Sequence, residues 1–472
     1  MNGNDALPAA DLQALVAAGF KDLPNGEYLL LTVDPARADA ARAWLRALLE
    51  AGIVVSVDVI ERRQQRLQRL ATVAVSYAGL QALGLQLSQD RPFPPTFVDG
   101  MGQTDRARLL GDDDAAGWRW ADCAAPADAA QQGALRQVVH MLVAHYWADA
   151  LDGHACPLLS AETLAEAGIQ VQSIHADRCG FAADGRTVEP FGFQDGISQP
   201  QITGLRADLE QQYLAADGVR REALARDRIA AGEFLLGLTN EYREPSYAPG
   251  VSGYPGPEPF AQAGSYLAVR QIRQDVAAFR AFEAKYAKTA PPRPNGATIG
   301  EHMVGRMREG VPLCPFNPDN RDDFAYFATD LEGYGCPRGA HMRRANPRDS
   351  LGHDVEAGER SARLHRLLRR GRSYVEGKGE QGLFFMALNA DLDRQFAFIQ
   401  QRWIANPGFG GLAGEGDPLL GQSQRAFTIQ DPLLSERVTG LPRFTEVVGG
   451  GYFLLPSIPA LQFMARPLAA QP

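Results

Sequence analysis

The chain has 472 residues, and its 47 basic and 56 acidic side chains give a formal net charge of −9. Hydrophobic residues make up 45% and charged residues 22%, proportions that exclude a disordered, collagen-like or coiled-coil chain and indicate a soluble globular protein of two or three domains. Because an acidic chain repels phosphate backbones, it is not expected to bind nucleic acid through a broad basic surface.

Strand and helix patterns alternate in the first half of the chain. After the apolar run that predicts the first strand, Asp34-Pro35 turns the chain, and a helix follows with apolar residues at helical spacing. Gln131–Ala150 mixes strand-like and helical patterns, so both assignments stay open there. In chain order we predict a strand over Glu27–Val33, a helix over Ala38–Leu49, a strand over Ala71–Ser76, a short helix over Tyr77–Leu85 and a loop over the Pro-, Gly- and Asp-rich residues Ser88–Gly117.

The second half repeats this alternation. Arg206–Arg228 is charged and poor in strongly apolar residues, so we predict that it connects two domains, residues 1–215 and 216–472. The shared order of strand, turn and amphipathic helix indicates two α+β halves, each a sheet covered by helices on one face, although two unrelated α+β domains would give the same pattern. We predict strands over Gly264–Val269, Gly382–Asn389 and Gly451–Leu455, followed by helices over Gln274–Tyr286, Leu392–Trp403 and Ser457–Met464 respectively.

The cysteines and the apolar segments limit cofactor attachment and location. Five scattered cysteines form no C-x-x-C pair, which argues against a disulfide framework, a structural zinc site and covalently attached c-type haem. The first residues lack the basic and apolar regions of an export signal, and the most apolar window, Leu70–Leu87, is too interrupted for a membrane span. A cytoplasmic protein without a membrane segment is therefore expected.

Several short motifs are better explained by structure than by chemistry. Gly408–Ala413 matches G-x-G-x-x-A, but no strand is predicted before it and no helix after it, so it indicates a loop rather than a Rossmann turn. Gly371–Lys378 lacks the spacing and the hydroxyl of a P-loop, and no G-x-S-x-G elbow occurs. We also favour a solvated loop for Asp112–Asp114, core or surface packing for His140 and His145, and a solvated helix face for the cluster Arg363, Arg366, Arg369, Arg370 and Arg372.

The segment Phe191–Pro200, FGFQDGISQP, has an unusual composition. Gly192 and Gly196 flank Phe193, Gln194 and Asp195, and glycine permits backbone angles and close approaches that a side chain would forbid. Such a loop can press the Asp195 carboxylate against a flat ligand. On this segment alone, a turn in which Asp195 caps backbone amides is the simpler interpretation.

The segment Gly335–Asp349, GCPRGAHMRRANPRD, surrounds one histidine with cations. A lone histidine is usually structural, but a histidine flanked by cations favours an anionic partner. Haem offers both an iron atom for the imidazole and two carboxylates for arginine. The histidine is His341, and its neighbours are Arg338, Arg343, Arg344 and Arg348.

Together with four further segments, these two resemble the dye-decolorizing peroxidase family, specifically its longer-chain branch. The resemblance extends from about Glu27 to Leu461, and its most specific patterns are G-x-x-D-G and A-H-x-R-x-x-N-P-R. In chain order the six segments are FGFQDGISQP, GEFLLGLTNE, GSYLAVRQIRQD, GCPRGAHMRRANPRD, HRLLRRGRSY and GYFLLPS.

The resemblance implies a haem b peroxidase of two ferredoxin-like domains, with non-covalent haem held mainly by the C-terminal one. It implies His341 as the axial ligand of the haem iron, Asp195 as the acid–base residue, and Arg369 as the cation that assists cleavage of the peroxide O–O bond. Hydrogen peroxide and small reducing substrates are the implied partners, and the oligomeric state stays open. Arg306 matches a propionate-binding arginine, and the remaining cofactor-binding residues implied are Gly192, Phe193, Gln194 and Gly196.

The chain departs from the family pattern just after Arg369. Arg372-Ser373-Tyr374-Val375 stands where the family has a hydrophobic residue followed by Pro, Tyr and Gly, which affects the expected shape of the adjoining loop. Bulky dyes are not expected to reach a buried haem edge, so a surface aromatic side chain is expected to relay electrons. Tyr374 is our hypothesis for that relay, and ordinary aromatic packing is the alternative.

Two other functions stay open at this stage. In the first, the chain binds haem in order to carry it, store it or release its iron, and peroxidase turnover is incidental. In the second, it is a structural or interaction protein with no cofactor. A turnover that is insensitive to loss of Asp195 would favour the first of these alternatives. Failure to bind haem would favour the second.

Overall fold

Each half of the chain contributes four antiparallel strands with helices between them. The computed structural model describes residues 7–20, 22–62, 67–112, 115–124, 136–149, 151, 156–176, 180, 185–289, 296–377, 379–421 and 426–468. The N-terminal strands lie in the order β2-β3-β1-β4, which is the βαββαβ arrangement of a ferredoxin-like unit. The elements are β1 (Asn25–Val33), α1 (Ala38–Glu50), β2 (Arg69–Val75), β3 (Met141–Trp147), α2 (Ala161–Glu166) and β4 (Ile169–His175).

The C-terminal half repeats this arrangement with the strand order β6-β7-β5-β8. A short strand, Leu368–Arg369, precedes β6 and also pairs with β7. The helix after β7 has π-type hydrogen bonding over Asp393–Ala397 and Ile399–Ile404, and is called here the π-helix. The other elements are β5 (Ser265–Gln274), α3 (Val276–Thr289), α4 (His341–Ala345), β6 (Arg372–Glu376), β7 (Glu380–Asn389), β8 (Thr445–Leu455) and α5 (Ile458–Met464).

Short elements decorate these two units. The further helices are Val57–Arg62, Tyr77–Ala82, Pro95–Asp99, Thr104–Leu109, Ala207–Ala215, Gly218–Asp227, Ile299–Val304, Tyr326–Thr329 and Val355–Arg363, with 3-10 turns at Ala14–Val16, Pro35–Arg37, Ala115–Gly117, Pro157–Leu159, Ala231–Glu233 and Phe409–Gly411. The further strands are Trp120–Ala121, Gln137–Val138, Gln201–Ile202, Arg228–Ile229, Ala426–Ile429 and Glu436–Thr439. Among the described helices, none combines the length and the apolar character needed to cross a membrane.

The two half-sheets join into one sheet that curves back on itself. Leu454 of β8 pairs with Val75 of β2, which connects the halves edge to edge. The outer strands at the two ends of the sheet, β4 and β6, contact each other. The sheet therefore encloses an interior, and its outer face is left for the helices.

Strands β1, β2, β3 and β8 are buried on both faces over most of their length, because the interior and the helix-covered face each form an apolar cluster. In β1, Tyr28 and Leu30 point to the interior cluster, whereas Leu29 and Leu31 belong to the outer cluster. Helix α1 covers the outer face because its apolar residues recur at helical spacing. Its buried side chains are Ala38, Ala41, Arg42, Trp44, Leu45 and Leu48.

The predicted strands and helices are present, and the two ferredoxin-like units are confirmed. Within the open segment 131–150, the described residues form β3 and a two-residue strand. The loop predicted over Ser88–Gly117 is wrong, because this segment contains the short helices Pro95–Asp99 and Thr104–Leu109. Asp112 does not lie in a solvated loop, since it is buried and forms an ion pair with Arg270. Asp113 and Asp114 lie outside the described residues.

The segment predicted to connect the two domains, the two histidines of the first half and the glycine-rich loop at residues 408–413 all have structural roles. Residues 206–228 consist mainly of the helices Ala207–Ala215 and Gly218–Asp227. His145 is fully buried and its Nδ1 lies 3.0 Å from Oε1 of Glu27, while Nδ1 of His140 lies 3.0 Å from the backbone nitrogen of Val33. Residues 408–413 form a loop with one 3-10 turn, as predicted.

Candidate active site

A cavity of about 290 Å³ lies against the outer face of the C-terminal half-sheet. Alternation along β7 creates this wall, because Leu383 and Phe385 face the cavity while Phe384 and Met386 belong to the interior cluster. The π-helix and α4 contribute further walls, and residues 189–200 contribute a loop. Of the predicted site residues, Gly192 does not line the cavity; those that do are Phe193, Gln194, Asp195, Gly196, Arg306, His341 and Arg369.

Helix α4 presents His341 to the cavity from its first turn. Two buried arginines of α4 fix the helix by donating to backbone carbonyl groups. Arg343 donates to the carbonyl oxygens of Asp330, Leu331 and Cys336, and Arg344 to those of Gly339, Trp403, Ile404, Asn406 and Glu415. Arg338 pairs with Glu332. Arg343 and Arg344 therefore hold mainly backbone carbonyl groups, Arg338 pairs with a carboxylate, and of these four cations only Arg348 lines the cavity.

Asp417 orients the imidazole of His341. Nδ1 of His341 lies 2.8 Å from Oδ2 of Asp417, which is fully buried. The other carboxylate oxygen of Asp417 accepts the backbone N–H groups of Leu419 and Leu420, both at 2.9 Å. Since Nδ1 donates to a carboxylate and no described residue bonds Nε2, the lone pair of Nε2 is available to a ligand.

The pKa values of this pair move in opposite directions. Burial acts to lower the pKa of His341, but the charge and hydrogen bond of Asp417 outweigh it, and the pKa is raised. Burial acts to raise the pKa of Asp417, but His341 and Arg344 outweigh it, and the pKa is lowered. Asp417 therefore stays a carboxylate that can accept the Nδ1 proton.

Asp195 and Arg369 meet in the same cavity from separate segments. Oδ1 of Asp195 accepts the N–H of Gly196 at 2.6 Å and lies 3.5 Å from Nη1 of Arg369. Nη2 of Arg369 donates to the carbonyl of Ser198 at 3.1 Å, and Gln199 Oε1 accepts the backbone N–H of Arg369 at 3.0 Å. The Asp195 carboxylate thus both caps its own turn and lines the cavity, so the two interpretations of this loop are compatible.

The loop that carries Asp195 is held from both sides. The Glu189 carboxylate accepts the N–H groups of Phe191 and Phe193 and the side-chain amide of Gln274, at distances of 3.0, 2.9 and 2.7 Å. Burial raises the pKa of Glu189. Arg308 donates to the carbonyl of Phe191 at 2.6 Å, and its guanidinium lies 4.6 Å from the centre of the Phe193 ring. These contacts fix the direction in which Asp195 points.

Two arginines of the cavity wall share one carboxylate. Nη2 of Arg306 donates to Oδ1 of Asp322 at 2.9 Å, and Nη2 of Arg348 donates to the same oxygen at 2.6 Å. Burial lowers the pKa of Arg306, although Asp322 opposes this effect. Two cations facing one anion leave a surplus positive charge at this wall, which an anionic ligand would neutralise.

His365 and Arg366 also line the cavity, although the sequence did not single out His365 as a site residue. The His365 ring stacks on Phe398 with centroids 3.8 Å apart, and its Nδ1 donates to the carbonyl of Arg394. Burial lowers the pKa of His365 and that of Arg366, the latter despite its contacts of 3.2 Å with Asp227. His365 is therefore neutral near pH 7.

The interpretation of the arginine cluster as a solvated helix face is wrong. Two of its members, Arg366 and Arg369, line the cavity, and Arg372 lies in strand β6. They are not on one helix face because this part of the chain turns from a helix into strands. Arg363 pairs with Glu241 at 2.9 Å. The surface position expected for Tyr374 is also wrong, since its side chain is fully buried in the interior cluster and does not line the cavity.

Besides His365, sequence reasoning missed Asp417, Glu189 and Asp322, the carboxylates that hold other residues of the site. Asp417 lies in Gly416-Asp417-Pro418, a few residues after the glycine-rich loop Gly408–Ala413. That loop matches a Rossmann motif in sequence only. An acid between Gly and Pro is a weak signal for a constrained carboxylate, and nothing in the sequence links it to His341. Glu189 and Asp322 carry no comparable signal, because their partners are backbone N–H groups and distant arginines.

Comparisons with known proteins show that the chain is similar to DyP-type peroxidases. A family model described as Dyp-type peroxidase, C-terminal, matches residues 250–424. The chain is 30% identical to the multifunctional dye peroxidase DyP2 of an Amycolatopsis species over 59% of this chain and 61% of that protein. It is also 30% identical to the dye-decolorizing peroxidase AauDyP1 of Auricularia auricula-judae, over 58% of this chain and 55% of that protein. The chain thus spans less than two thirds of either relative.

The fold is shared along nearly the whole chain. The crystal structure of a DyP-type peroxidase from Anabaena sp. superposes with a TM-score of 0.74 at 22% identity, covering 97% of this chain and 94% of that one. The resemblance predicted from the sequence is therefore confirmed.

Proposed function

We propose that this relative of the DyP-type peroxidases is itself a haem peroxidase, which uses hydrogen peroxide to oxidise dyes, phenols or other small reducing substrates in one-electron steps. The observation that carries the proposal is the meeting, in one cavity, of an imidazole oriented by Asp417 and a carboxylate paired with Arg369. An imidazole whose Nε2 is unengaged can ligate haem iron, and a carboxylate beside a permanent cation can act as an acid–base group for peroxide.

The residues present fit haem b held without covalent bonds. His341 offers Nε2 to the iron, because Nδ1 is engaged by Asp417. The surplus positive charge of Arg306 and Arg348 beside Asp322 fits the two propionates. Apolar side chains that suit a flat macrocycle complete the walls: Ile272, Val304, Leu383, Phe385, Phe396, Ile399, Leu419 and Leu420.

When bound, haem would supply an iron centre that gives two electrons to peroxide. It would regain them one at a time from reducing substrates. Overall, one hydrogen peroxide and two substrates, each giving one electron and one proton, yield two waters and two oxidised substrates. The chain's own residues must therefore move protons between the oxygens of peroxide and stabilise the charge that develops there.

Asp195 and Arg369 divide this work. Oδ1 of Asp195 is occupied by the N–H of Gly196 and faces Arg369, so Oδ2 is the oxygen that takes a proton from one end of hydrogen peroxide and returns it to the other. Arg369 stays charged and stabilises negative charge on the departing oxygen. The contacts of Arg369 with Ser198 and Gln199 keep its guanidinium at the loop that carries Asp195.

The test is the absorption spectrum of the haem-reconstituted protein before and after one equivalent of hydrogen peroxide. We expect the Soret band of the wild type to shift rapidly, and the shift to be slower by about 100-fold or more in Asp195→Asn, since general acid–base catalysis contributes at least that factor. Arg369→Ala should be slowed as well. Asp208→Asn removes an exposed carboxylate paired with Arg206 and should leave the rate unchanged.

The other outcomes separate the alternatives. A Soret band that never responds to peroxide would overturn the peroxidase proposal and favour haem carriage or iron release. The absence of a Soret band after addition of haem would overturn both haem functions and favour a structural role.

A further inference from the structure

Two members of the arginine cluster take no part in the function proposed above. Arg370 directly follows Arg369, the cation that faces Asp195, and Arg372 comes two residues later. Both side chains reach an N-terminal segment, defined here as residues 12–20 with 22 and 23, that lies far away in the sequence. They bond its backbone carbonyl groups.

Arg370 binds the first part of the N-terminal segment. Its Nε donates to the carbonyl of Leu15 at 2.8 Å and its Nη2 to the carbonyl of Val16 at 2.7 Å. Burial lowers the pKa of Arg370 to about 10, so the side chain remains a cation at neutral pH. In the described part of the chain it forms no ion pair with a carboxylate.

Arg372 binds the second part of the same segment. It donates to the carbonyl oxygens of Leu23 and Gly19, both at 2.7 Å, and to that of Phe20. Its guanidinium also lies 4.3 Å from the centre of the Tyr146 ring. Arg372 is the first residue of Arg372–Val375, the stretch that departs from the family pattern. In the structure this arginine bonds the N-terminal segment.

The N-terminal segment is a rigid partner for these arginines. Leu12, Leu15 and Val16 are buried in the interior cluster. The side chain of Gln13 donates to the carbonyls of Val73 and Pro456 at 2.9 and 2.8 Å and accepts the N–H of Val73 at 3.0 Å. The segment is therefore fixed both to β2 and to Pro456, the residue that follows β8.

We propose that Arg370 and Arg372 are positioning residues, which tie the strand that carries Arg369 to the N-terminal segment and so set the reach of the Arg369 guanidinium towards Asp195. This inference rests on the function proposed above. Arg369 is held on one side by Gln199 and Ser198, and the next residues are held on the other side by five carbonyl groups of the N-terminal segment.

Arginine suits this task better than lysine. Its planar guanidinium has five donors in a fixed fork, so one side chain can bond several carbonyl groups of a distant segment at once. A lysine at either position would keep the charge but lose that fixed geometry. The conservative variants therefore distinguish geometry from charge.

The test is a double-mutant cycle on the reaction of the haem-reconstituted protein with hydrogen peroxide. We expect Arg370→Met to slow the shift of the Soret band by about tenfold or more, since displacing a catalytic group by about 1 Å can cost 100-fold. Arg370→Lys should recover part of the rate. In the Arg369→Ala background, Arg370→Met should have no further effect, because it acts only through Arg369.

Stability and structure give readouts independent of turnover. Arg136→Met is the matched control, since Arg136 also bonds backbone carbonyls, those of Gly102, Ala115, Cys123 and Ala124, away from the cavity. It should lower the melting temperature without changing the rate with peroxide. A crystal structure of Arg370→Met should show Arg369 Nη1 displaced from its 3.5 Å approach to Asp195.

The outcomes are distinguishable from failure of the proposed function. If the wild type reacts with peroxide and Arg370→Met reacts equally fast, the inference is overturned while the peroxidase function stands. Additive effects of Arg369→Ala and Arg370→Met would also overturn it, because they would show a purely structural role. If the wild type does not react at all, the proposed function itself fails.

Discussion

A single hydrogen bond decides what His341 can offer to a ligand. Both nitrogens of an imidazole can bind a proton, and only the carboxylate of Asp417, 2.8 Å from Nδ1, selects the tautomer with a free lone pair on Nε2. Asp417 is itself fixed by the N–H groups of Leu419 and Leu420. The orientation of the ring is therefore set from the loop after the π-helix and not from α4 alone.

Replacing Asp417 by Ala should weaken haem retention by about 10- to 100-fold, the usual cost of losing an outer partner of a metal-ligating histidine. The measurement is the rate at which the reconstituted variant loses haem to an excess of a high-affinity acceptor protein. Asp122→Asn is the matched control, because Asp122 is also a buried carboxylate that accepts backbone N–H groups, but away from the cavity. Equal haem loss from Asp417→Ala and the wild type would contradict the prediction.

At the scale of single residues, sequence reasoning found three residues that line the cavity but not the residues that hold them in place. Asp195, His341 and Arg369 stand in motifs whose composition is unusual, and the structure brings all three to one cavity. Asp417 and Glu189 could not be found in this way, because their roles depend on distances across the fold. The arginines around His341 were singled out for an anion, yet Arg343 and Arg344 bind carbonyl groups.

The loop at residues 189–200 shows how a single element depends on backbone conformation. Gly192 has φ +97°, a conformation that L-residues with side chains rarely adopt, and a Cβ there would lie 3.2 Å from Nη1 of Arg308. The same arginine bonds the carbonyl of Phe191. Gly192 therefore shapes the loop without lining the cavity, whereas its neighbours Phe193 to Gly196 do line it.

Gly192→Ala should lower the free energy of unfolding by about 1–2 kcal/mol through backbone strain, and should also slow the reaction with peroxide because Asp195 shifts with the loop. Denaturant unfolding and the rate of the Soret shift measure the two effects. Gly185→Ala is the control, since Gly185 has φ +79° but a Cβ at that position would meet no atom within 4 Å. We expect Gly185→Ala to lower the free energy of unfolding without changing the rate with peroxide. A normal rate with peroxide in Gly192→Ala would contradict the predicted link to Asp195.

The regular elements were predictable, while the short ones were not. Strands β1, β5, β7 and β8 each contain a run of apolar residues, because most of their length is buried. The helices within residues 88–117 are only five and six residues long, and their Pro, Gly and Asp content indicated a loop. Tertiary packing under the sheet, rather than local propensity, stabilises such short helices.

At the scale of the whole molecule, the two halves share both of their large apolar clusters. The interior cluster contains Tyr28 and Leu30 from the N-terminal half and Phe384 and Met386 from the C-terminal half. The repeated strand–helix pattern in the sequence predicted two halves. It could not show that they share a core, because the pairing of Val75 with Leu454 joins distant residues and leaves no trace in local composition. The predicted boundary at residue 215 stays a prediction.

We expect the protein to unfold as one cooperative unit. Leu30→Ala, in the interior cluster, should cost about 2–5 kcal/mol and should lower the hydrogen-exchange protection of β7 as much as that of β3. Leu214→Ala is the control, because Leu214 is 63% exposed, and it should change neither. Loss of protection confined to the N-terminal strands would instead show two independently folding domains and would support the predicted division.

The curvature of the sheet also bears on how the molecule behaves in a crowded solution. An open sheet ends in two strands whose unpaired N–H and C=O groups form a template on which a strand of another molecule can add. Here the two terminal strands, β4 and β6, contact each other, which leaves less room for a strand of another molecule beside either of them. The same closure that gives both halves a common interior therefore also hinders edge-to-edge pairing at the two ends of this sheet.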